Sequence, residues 1–424
     1  MAPSLQELAR PDESTPQITQ SALENTPIKV PQRYLMGPGP GNAHPRVLAA
    51  QSLPLLGHMH PAFFAIMDEI QDGLRYMFQT KSKYVCLISG TGHSGMEAAI
   101  ANMLEPGETI VVGNNGIWGQ RVCEIAERYG GKVINAEVPA GAALSLRKIE
   151  DELERNKPAV LFLCQGESST GAHQALGGVA EACRKHDTIL VVDTVCSLGA
   201  VPFYGDAWGV DCMYSGSQKV LGAPPGAAPF MLGERGFKKL KNRKTKVASW
   251  YFDLNMILDY WGCFGPKRFY HHTGMVSNWY GIREALGIAS EEGLESMWER
   301  HRRLHLRLWE GLNELGLEPF VEKEQYRLVS VNTIKVPEGV DCLVLCKNAM
   351  DKYSVEIAGG LGPSAGKVWR VGIMGYNAQL TNVELVLTAF KDGLAQQGFT
   401  KRHQVASKDV PSPYEGAFPE NIKS

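Results

Sequence analysis

The sequence predicts an α/β fold: a large unit with a mostly parallel sheet between helices, then a smaller α+β unit towards the C-terminus. Three observations carry that expectation. Apolar runs of strand length at 84–88, 159–164, 188–193 and 212–214 alternate with stretches of helical periodicity such as 178–185. Turns rich in glycine and small residues follow these runs, at 89–95, 166–171 and 215–217. Residues able to do chemistry gather in those turns, on the edge where ligands collect in open α/β sheets. The 424 residues suffice for two domains with substantial cores. The expected division is an arm over 1–33, a large domain over 34–292, a small domain over 293–402 and a tail over 403–424, the ends being polar and proline-bearing.

Composition excludes several function classes. Apolar residues make up 44% and charged residues 21%, as in ordinary globular proteins. A net charge of −2 argues against a general nucleic-acid or membrane-surface role, which would call for a basic excess. No apolar run approaches the length of a membrane span. The nine cysteines form no zinc-like pairs, and Cys86, Cys164, Cys196 and Cys212 sit in or beside apolar runs, as small buried hydrophobes do. The chain is therefore expected to be soluble and intracellular, in a reducing compartment. Its N-terminus resembles no signal or transit peptide and its C-terminus no peroxisomal tripeptide, so cytosol, mitochondrion and peroxisome stay open.

Along the chain, alternating Gly and Pro at 37–42 predict a rigid loop whose backbone comes close to a neighbour, either a ligand or a domain-entry turn. The strand at 84–88 runs into 89–95 and then a helix with apolar Met96, Ala99, Ile100, Met103 and Leu104 at helical spacing. Strand, glycine turn and helix N-terminus make a phosphate site, because free N–H groups and the positive dipole end face the anion. Gly90, Gly92 and Gly95 also match the dinucleotide fingerprint, so a nicotinamide-type site is a rival. That reading needs an acid after the next strand, yet 109–113 is followed by Asn114, Asn115 and Gly116.

Trp118, read as lying on an exposed loop between glycines, suits stacking on a flat ring; a core anchor is the alternative. Ser168 follows the strand at 159–164 and is either a ligand contact or a helix cap. Asp193 ends the next apolar run. Lys219 follows Ser215, Gly216 and Ser217, with Pro224, Pro225 and Gly226 fixing a loop behind it. An aldehyde cofactor needs a lysine to condense with, and a pyridine ring needs an acid at its nitrogen. Lys219 and Asp193 meet both needs as a pyridoxal phosphate pair.

Basic residues at 238–246 lack interleaved aromatics and are expected on a solvated surface. His271 and His272 could suggest a metal, but no third ligand stands at suitable spacing, and no metal is expected. A helix is expected from about 291 to 315, a strand at 328–335, a helix at 341–353 and a flexible loop at 359–366. Arg370, in a strand beside small residues, could hold a carboxylate at two points or serve an ordinary salt bridge.

Residues 115–121 (NGIWGQR), 166–171 (GESSTG) and 215–219 (SGSQK) resemble the class V, fold-type I aminotransferases, most closely the alanine–glyoxylate/serine–pyruvate branch. The resemblance runs from about 34 to 399. It implies a pyridoxal 5'-phosphate enzyme that transaminates alanine or serine with glyoxylate or pyruvate, Lys219 and Asp193 being catalytic. It further implies that Trp118 stacks on the ring, that Ser168 bonds its phenolic oxygen, and that Thr91, Gly92, His93 and Gln218 hold the phosphate. Tyr270 and Thr273 would reach the partner's phosphate in a homodimer with shared active sites. Arg370 would clamp the substrate carboxylate, with Gly37 and Gly41 at the mouth beside short substrates. A 3-hydroxykynurenine transaminase remains an alternative. So does a cysteine desulfurase, although its candidate cysteines Cys342 and Cys346 lie on an apolar helical face, where a thiol is inert.

Overall fold

The computed structural model describes residues 26–399. The expected tail and most of the expected arm lie outside the described residues. The centre is a seven-stranded sheet. In chain order its strands are β1 (Val85–Ser89), β2 (Thr109–Asn114), β3 (Lys132–Glu137), β4 (Val160–Cys164), β5 (Ile189–Asp193), β6 (Cys212–Tyr214) and β7 (Ala227–Leu232). In space they run β1-β7-β6-β5-β4-β2-β3. The pairs β3–β2, β2–β4, β4–β5 and β5–β6 are parallel, whereas β7 is antiparallel to both neighbours. The continuous Val/Ile/Leu runs have their explanation here: β1, β4, β5 and β7 are buried on both faces, so alternation with polar residues would be costly.

Helices cover the sheet. The Pro61–Phe78 and Val276–Glu292 helices pack together, with Phe63 stacked on Trp279 at 5.6 Å between ring centroids. Burying a side chain of this size contributes roughly 1.5–3 kcal/mol. The helix expected from about 291 to 315 is Leu294–Glu314 in the structure. Val276–Glu292 and Leu294–Glu314 are separate helices, divided at Gly293, whose φ of 83° lies where only glycine is unstrained. The basic stretch lies on the surface as expected, with Lys238, Lys241, Lys244 and Lys246 exposed and Arg243 half-buried. Arg243 donates to the carbonyls of Asn102 and Leu104 at 2.8 and 2.9 Å, neutralising the end of the Gly92–Met103 helix.

A second buried apolar cluster contains Met36, Leu308, Trp369 and Phe390. It packs around β8 (Val331–Lys335), β9 (Ala358–Gly359) and β10 (Val368–Gly372), an antiparallel sheet in the order β8-β10-β9. The Cys342–Tyr353 helix beside it begins where expected, because the Asp341 carboxylate accepts the N–H groups of Leu343 and Val344. Tyr34–Leu35 pairs with Val355–Glu356, and Gly372 donates its N–H to Met36. The loop beginning at Gly37 is thereby anchored to this second cluster and directed at the central sheet. Among the described residues no helix is long and apolar enough to cross a membrane.

Candidate active site

The carboxyl-terminal ends of β1, β2, β4, β5 and β6 converge on a cavity with about 480 Å³ of free space, part of it open to solvent. Gly92, His93, Trp118, Ser168, Asp193, Gln218 and Lys219 all line it. The structure thus brings seven of the expected residues together. Thr91 is adjacent as the N-cap of the Gly92–Met103 helix. Gly92 admits no side chain there, since a Cβ would stand 2.9 Å from Val195. Its small size keeps the helix N-terminus open to an anion.

Asp193 ends β5 and is buried. The Tyr214 hydroxyl donates to its Oδ2 at 2.6 Å and the Val195 N–H to its Oδ1 at 2.8 Å. Burial pushes its pKa up to about 6, although both hydrogen bonds and the positive Lys219 pull the other way. A cation against this carboxylate would be stabilised.

Lys219 reaches across the cavity and donates from Nζ to the carbonyl of Pro38. Gly39 lies against the same side chain, and any Cβ on it would overlap Lys219 Nζ. Gly41 donates its N–H to the Gln218 carbonyl at 3.0 Å. The loop at 37–42 therefore closes over the lysine, but Pro38 and Gly39 make the contact, and neither Gly37 nor Gly41 lines the cavity.

Trp118 is not on an exposed loop. It is the second residue of the Ile117–Arg128 helix and half-buried. The turn at 166–171 grips it at both ends. Its indole Nε1 donates to Ser168 Oγ at 2.8 Å and its backbone N–H to Glu167 Oε2 at 3.1 Å. Ser169 Oγ accepts the Ile117 N–H at 3.1 Å and donates to Glu167 Oε1 at 2.6 Å. The helix cap comes from Glu167 and Ser169, so Ser168 is free of capping duty. Gly116, the preceding residue, must lack a side chain because a Cβ would overlap the Glu167 carboxyl group. Glu167 is fully buried, and burial pushes its pKa up to about 7.

Arg370 lies in β10 and is buried. Its Nε donates to Gly359 O at 2.9 Å and its Nη1 to Ser168 O at 3.1 Å. It forms no salt bridge among the described residues, and burial lowers its pKa. A buried guanidinium held only by carbonyls stands ready for an anion. Tyr270 and Thr273 are exposed and do not line this cavity of their own chain. Cys342 is buried on its helix, with its thiol near the Val368 carbonyl and away from Lys219.

Sequence reasoning missed Val195, Glu167, Pro38 and Gly39. Val195 had a signal, standing two residues beyond Asp193 on the same strand end. The residues present fit a phosphorylated pyridine aldehyde: a reachable amine, a buried acid that favours a cation opposite it, and a Gly92 cradle that a Cβ would fill. Among the described residues the buried Gln218 Oε1 has no hydrogen-bond partner, and exchanging the amide's O and N would turn a donor to an anion.

A lysine, a buried acid and an open helix N-terminus at the strand ends of a parallel sheet define a transferase built around an aldehyde cofactor. The chain belongs to the aminotransferase class-V family, whose model matches residues 47–384, and it is an aminotransferase of the pyridoxal phosphate-dependent kind. It is 47% identical over 369 residues to alanine–glyoxylate aminotransferase of Drosophila melanogaster, covering 87% of this chain and 94% of that protein. It is 35% identical to (S)-ureidoglycine–glyoxylate transaminase of Bacillus subtilis, covering 85% and 90%. Its structure resembles that of alanine–glyoxylate aminotransferase from Nostoc sp., with a TM-score of 0.85 and 46% identity over 88% of this chain and 98% of that one.

Proposed function

We propose that the chain transaminates a small amino acid, alanine or serine, with glyoxylate or pyruvate as acceptor, using pyridoxal 5'-phosphate in the cavity beside Lys219. The observation that carries this is one cavity walled by Lys219 and the buried Asp193, with a buried Arg370, in no salt bridge among the described residues, donating to the adjoining Ser168 carbonyl. The names of the Drosophila and Bacillus relatives both include glyoxylate, which supports that acceptor.

When bound, the cofactor supplies an aldehyde that takes up amino groups and a ring that accepts the electron pair released at the substrate's Cα. Lys219 Nζ would hold the cofactor and, as a free amine, would take the proton from the substrate's Cα and return it, acting as general base and then acid. The Pro38 carbonyl, which Nζ already bonds, would hold the amine once it carries that proton. Asp193 keeps the ring nitrogen protonated. Trp118 would lie against the ring, and Ser168, which accepts from the Trp118 indole, would donate to its phenolic oxygen. Thr91, Gly92, His93 and Gln218 hold the phosphate. Arg370 would orient the substrate carboxylate with its two-pronged fork, and the loop at 37–41, closed over Lys219 by Pro38 and Gly39, would lie at the mouth beside a short substrate.

The site is completed in a homodimer, Tyr270 and Thr273 reaching the phosphate of the partner subunit. Exposed Trp250, Phe264, Phe269, Tyr270 and Met275 support this, because large apolar side chains massed on one segment mark an interface.

The test is the absorbance of the purified chain, followed by alanine, serine and 3-hydroxykynurenine as donors against glyoxylate and pyruvate. A visible-edge band that Lys219→Arg abolishes, with alanine or serine consumed fastest, is expected. Full activity in Lys219→Arg would end this reading.

A further inference from the structure

Outside the cavity, two neighbouring histidines and a serine form a chain whose proton positions follow from its partners. His271 Nε2 lies 3.3 Å from the Trp250 carbonyl, which can only accept, so Nε2 carries a proton. Burial lowers the pKa of both imidazoles, that of His272 to about 4, so each is neutral at physiological pH. His271 Nδ1 is then an acceptor. It lies 2.8 Å from His272 Nδ1, which must donate to it. His272 Nε2 is left as an acceptor 2.6 Å from Ser89 Oγ, and the hydroxyl donates. The chain therefore runs in one direction, from Ser89 through His272 and His271 to the Trp250 carbonyl. The rings of Trp250, Tyr251 and Tyr260 pack against the two imidazoles, with Trp250 stacked on His271 at 4.5 Å.

The two ends of this chain matter. Ser89 is the last residue of β1 and leads directly into the turn at 90–93, where Ser94 Oγ donates back to the Thr91 carbonyl at 2.6 Å. His272 lies between Tyr270 and Thr273. We propose that His272 is a positioning residue for the cofactor phosphate: accepting from Ser89 and donating to His271, it locks the segment carrying Tyr270 and Thr273 to the strand end that opens the phosphate turn. This rests on the reading of both segments as phosphate contacts, one within the subunit and one across the dimer. A single chain of hydrogen bonds then sets both.

The experiment titrates the full-length, cofactor-free chain with pyridoxal 5'-phosphate and, separately, with pyridoxal, which lacks the phosphate. Ser89→Ala and His272→Leu are each expected to weaken binding of the phosphorylated compound about tenfold, as for one lost buried hydrogen bond, while changing pyridoxal binding less than about twofold. His272→Gln, whose amide oxygen takes the place of Nε2, is expected to recover binding to within about threefold of wild type. Equal losses for both ligands would reduce His272 to a packing role, and no loss in either variant would overturn the proposal outright. A wild type that binds pyridoxal as tightly as its phosphate ester would remove the phosphate site, and with it the reading on which the inference stands. Ser89→Ala changes one atom, so a misfolded leucine variant would still leave the comparison decisive.

Discussion

The Glu167 carboxylate accepts the backbone N–H of Trp118 at 3.1 Å across 49 positions of sequence. The same carboxylate takes the N–H and hydroxyl of Ser169, so it caps a helix that has only Gly116 as its own N-cap. The position of Trp118 in the cavity thus depends on a buried acid that does not itself line the cavity.

Glu167→Gln keeps the shape but sets an NH₂ group against one of those donors. Leaving a buried N–H unpaired costs about 1–3 kcal/mol. The cost should depend on pH. Burial raises the folded pKa of Glu167 from 4.5 to about 7, so the folded state holds a proton that the unfolded state releases within that window. The wild type therefore loses stability as the pH rises from 4.5 to 7, by roughly 3 kcal/mol, and glutamine does not. Urea unfolding of the cofactor-free proteins at pH 5 and pH 8 should show the variant's deficit shrinking at the higher pH. A deficit independent of pH would mean that Glu167 is ionised throughout.

The residues legible in the sequence were those whose chemistry is local. Lys219 stands among small residues, Asp193 ends an apolar run, and the 89–95 turn couples a strand to a helix within a few positions. What escaped depends on closure between distant segments. The Pro38 carbonyl meets Lys219 from 181 positions away, and a carbonyl carries no residue signature. β7 slots between β1 and β6 in reverse, pairing Ala227 with Ser89, a choice its own apolar run does not encode. Trp118 was assigned to a loop because its flanking glycines favour turns, whereas the cap that starts its helix comes from residues 167 and 169.

The contact between Gly39 and Lys219 gives a second test. Gly39 has a φ of 105°, and a Cβ would overlap the lysine amine. Gly39→Ala should lower kcat by at least about tenfold, as expected when a reacting group is displaced by a fraction of an ångström. Gly41→Ala, with no heavy atom closer than 3.8 Å to the added carbon, should cost much less. Steady-state kinetics of the two variants side by side would decide, and equal losses would show that the loop does not position the amine.

Arg370 offers a third. Two carbonyls hold its Nε and Nη1, a geometry that lysine cannot reproduce. If the guanidinium clamps the donor's carboxylate, Arg370→Lys should raise KM for the amino donor about 30- to 100-fold, near 2–3 kcal/mol, and change kcat less. A fall in kcat at unchanged KM would instead assign Arg370 to holding the Ser168 turn.

Asp193 makes the fourth prediction, in which the sign of the pH effect is the test. Burial raises its folded pKa from 3.8 to about 6, so the cofactor-free chain holds this proton between those values and loses stability as the pH rises through the window. Binding a protonated pyridine ring reverses the preference, because the ring's positive charge needs the carboxylate ionised. Affinity for pyridoxal 5'-phosphate should therefore be flat above about pH 6 and weaken by up to about tenfold per unit below it, where binding must first expel the proton. Tyr214 and the Val195 N–H already orient both oxygens, so Asp193→Asn can keep a similar position while losing the charge. That variant should bind more weakly at pH 7.5 and show no change of slope near pH 6. The two binding curves, measured from pH 5 to pH 8 by absorbance, separate a charge at the ring nitrogen from a hydrogen bond alone: parallel curves would leave Asp193 as a structural acid, and convergence at low pH would identify its ionised form as the one that holds the ring.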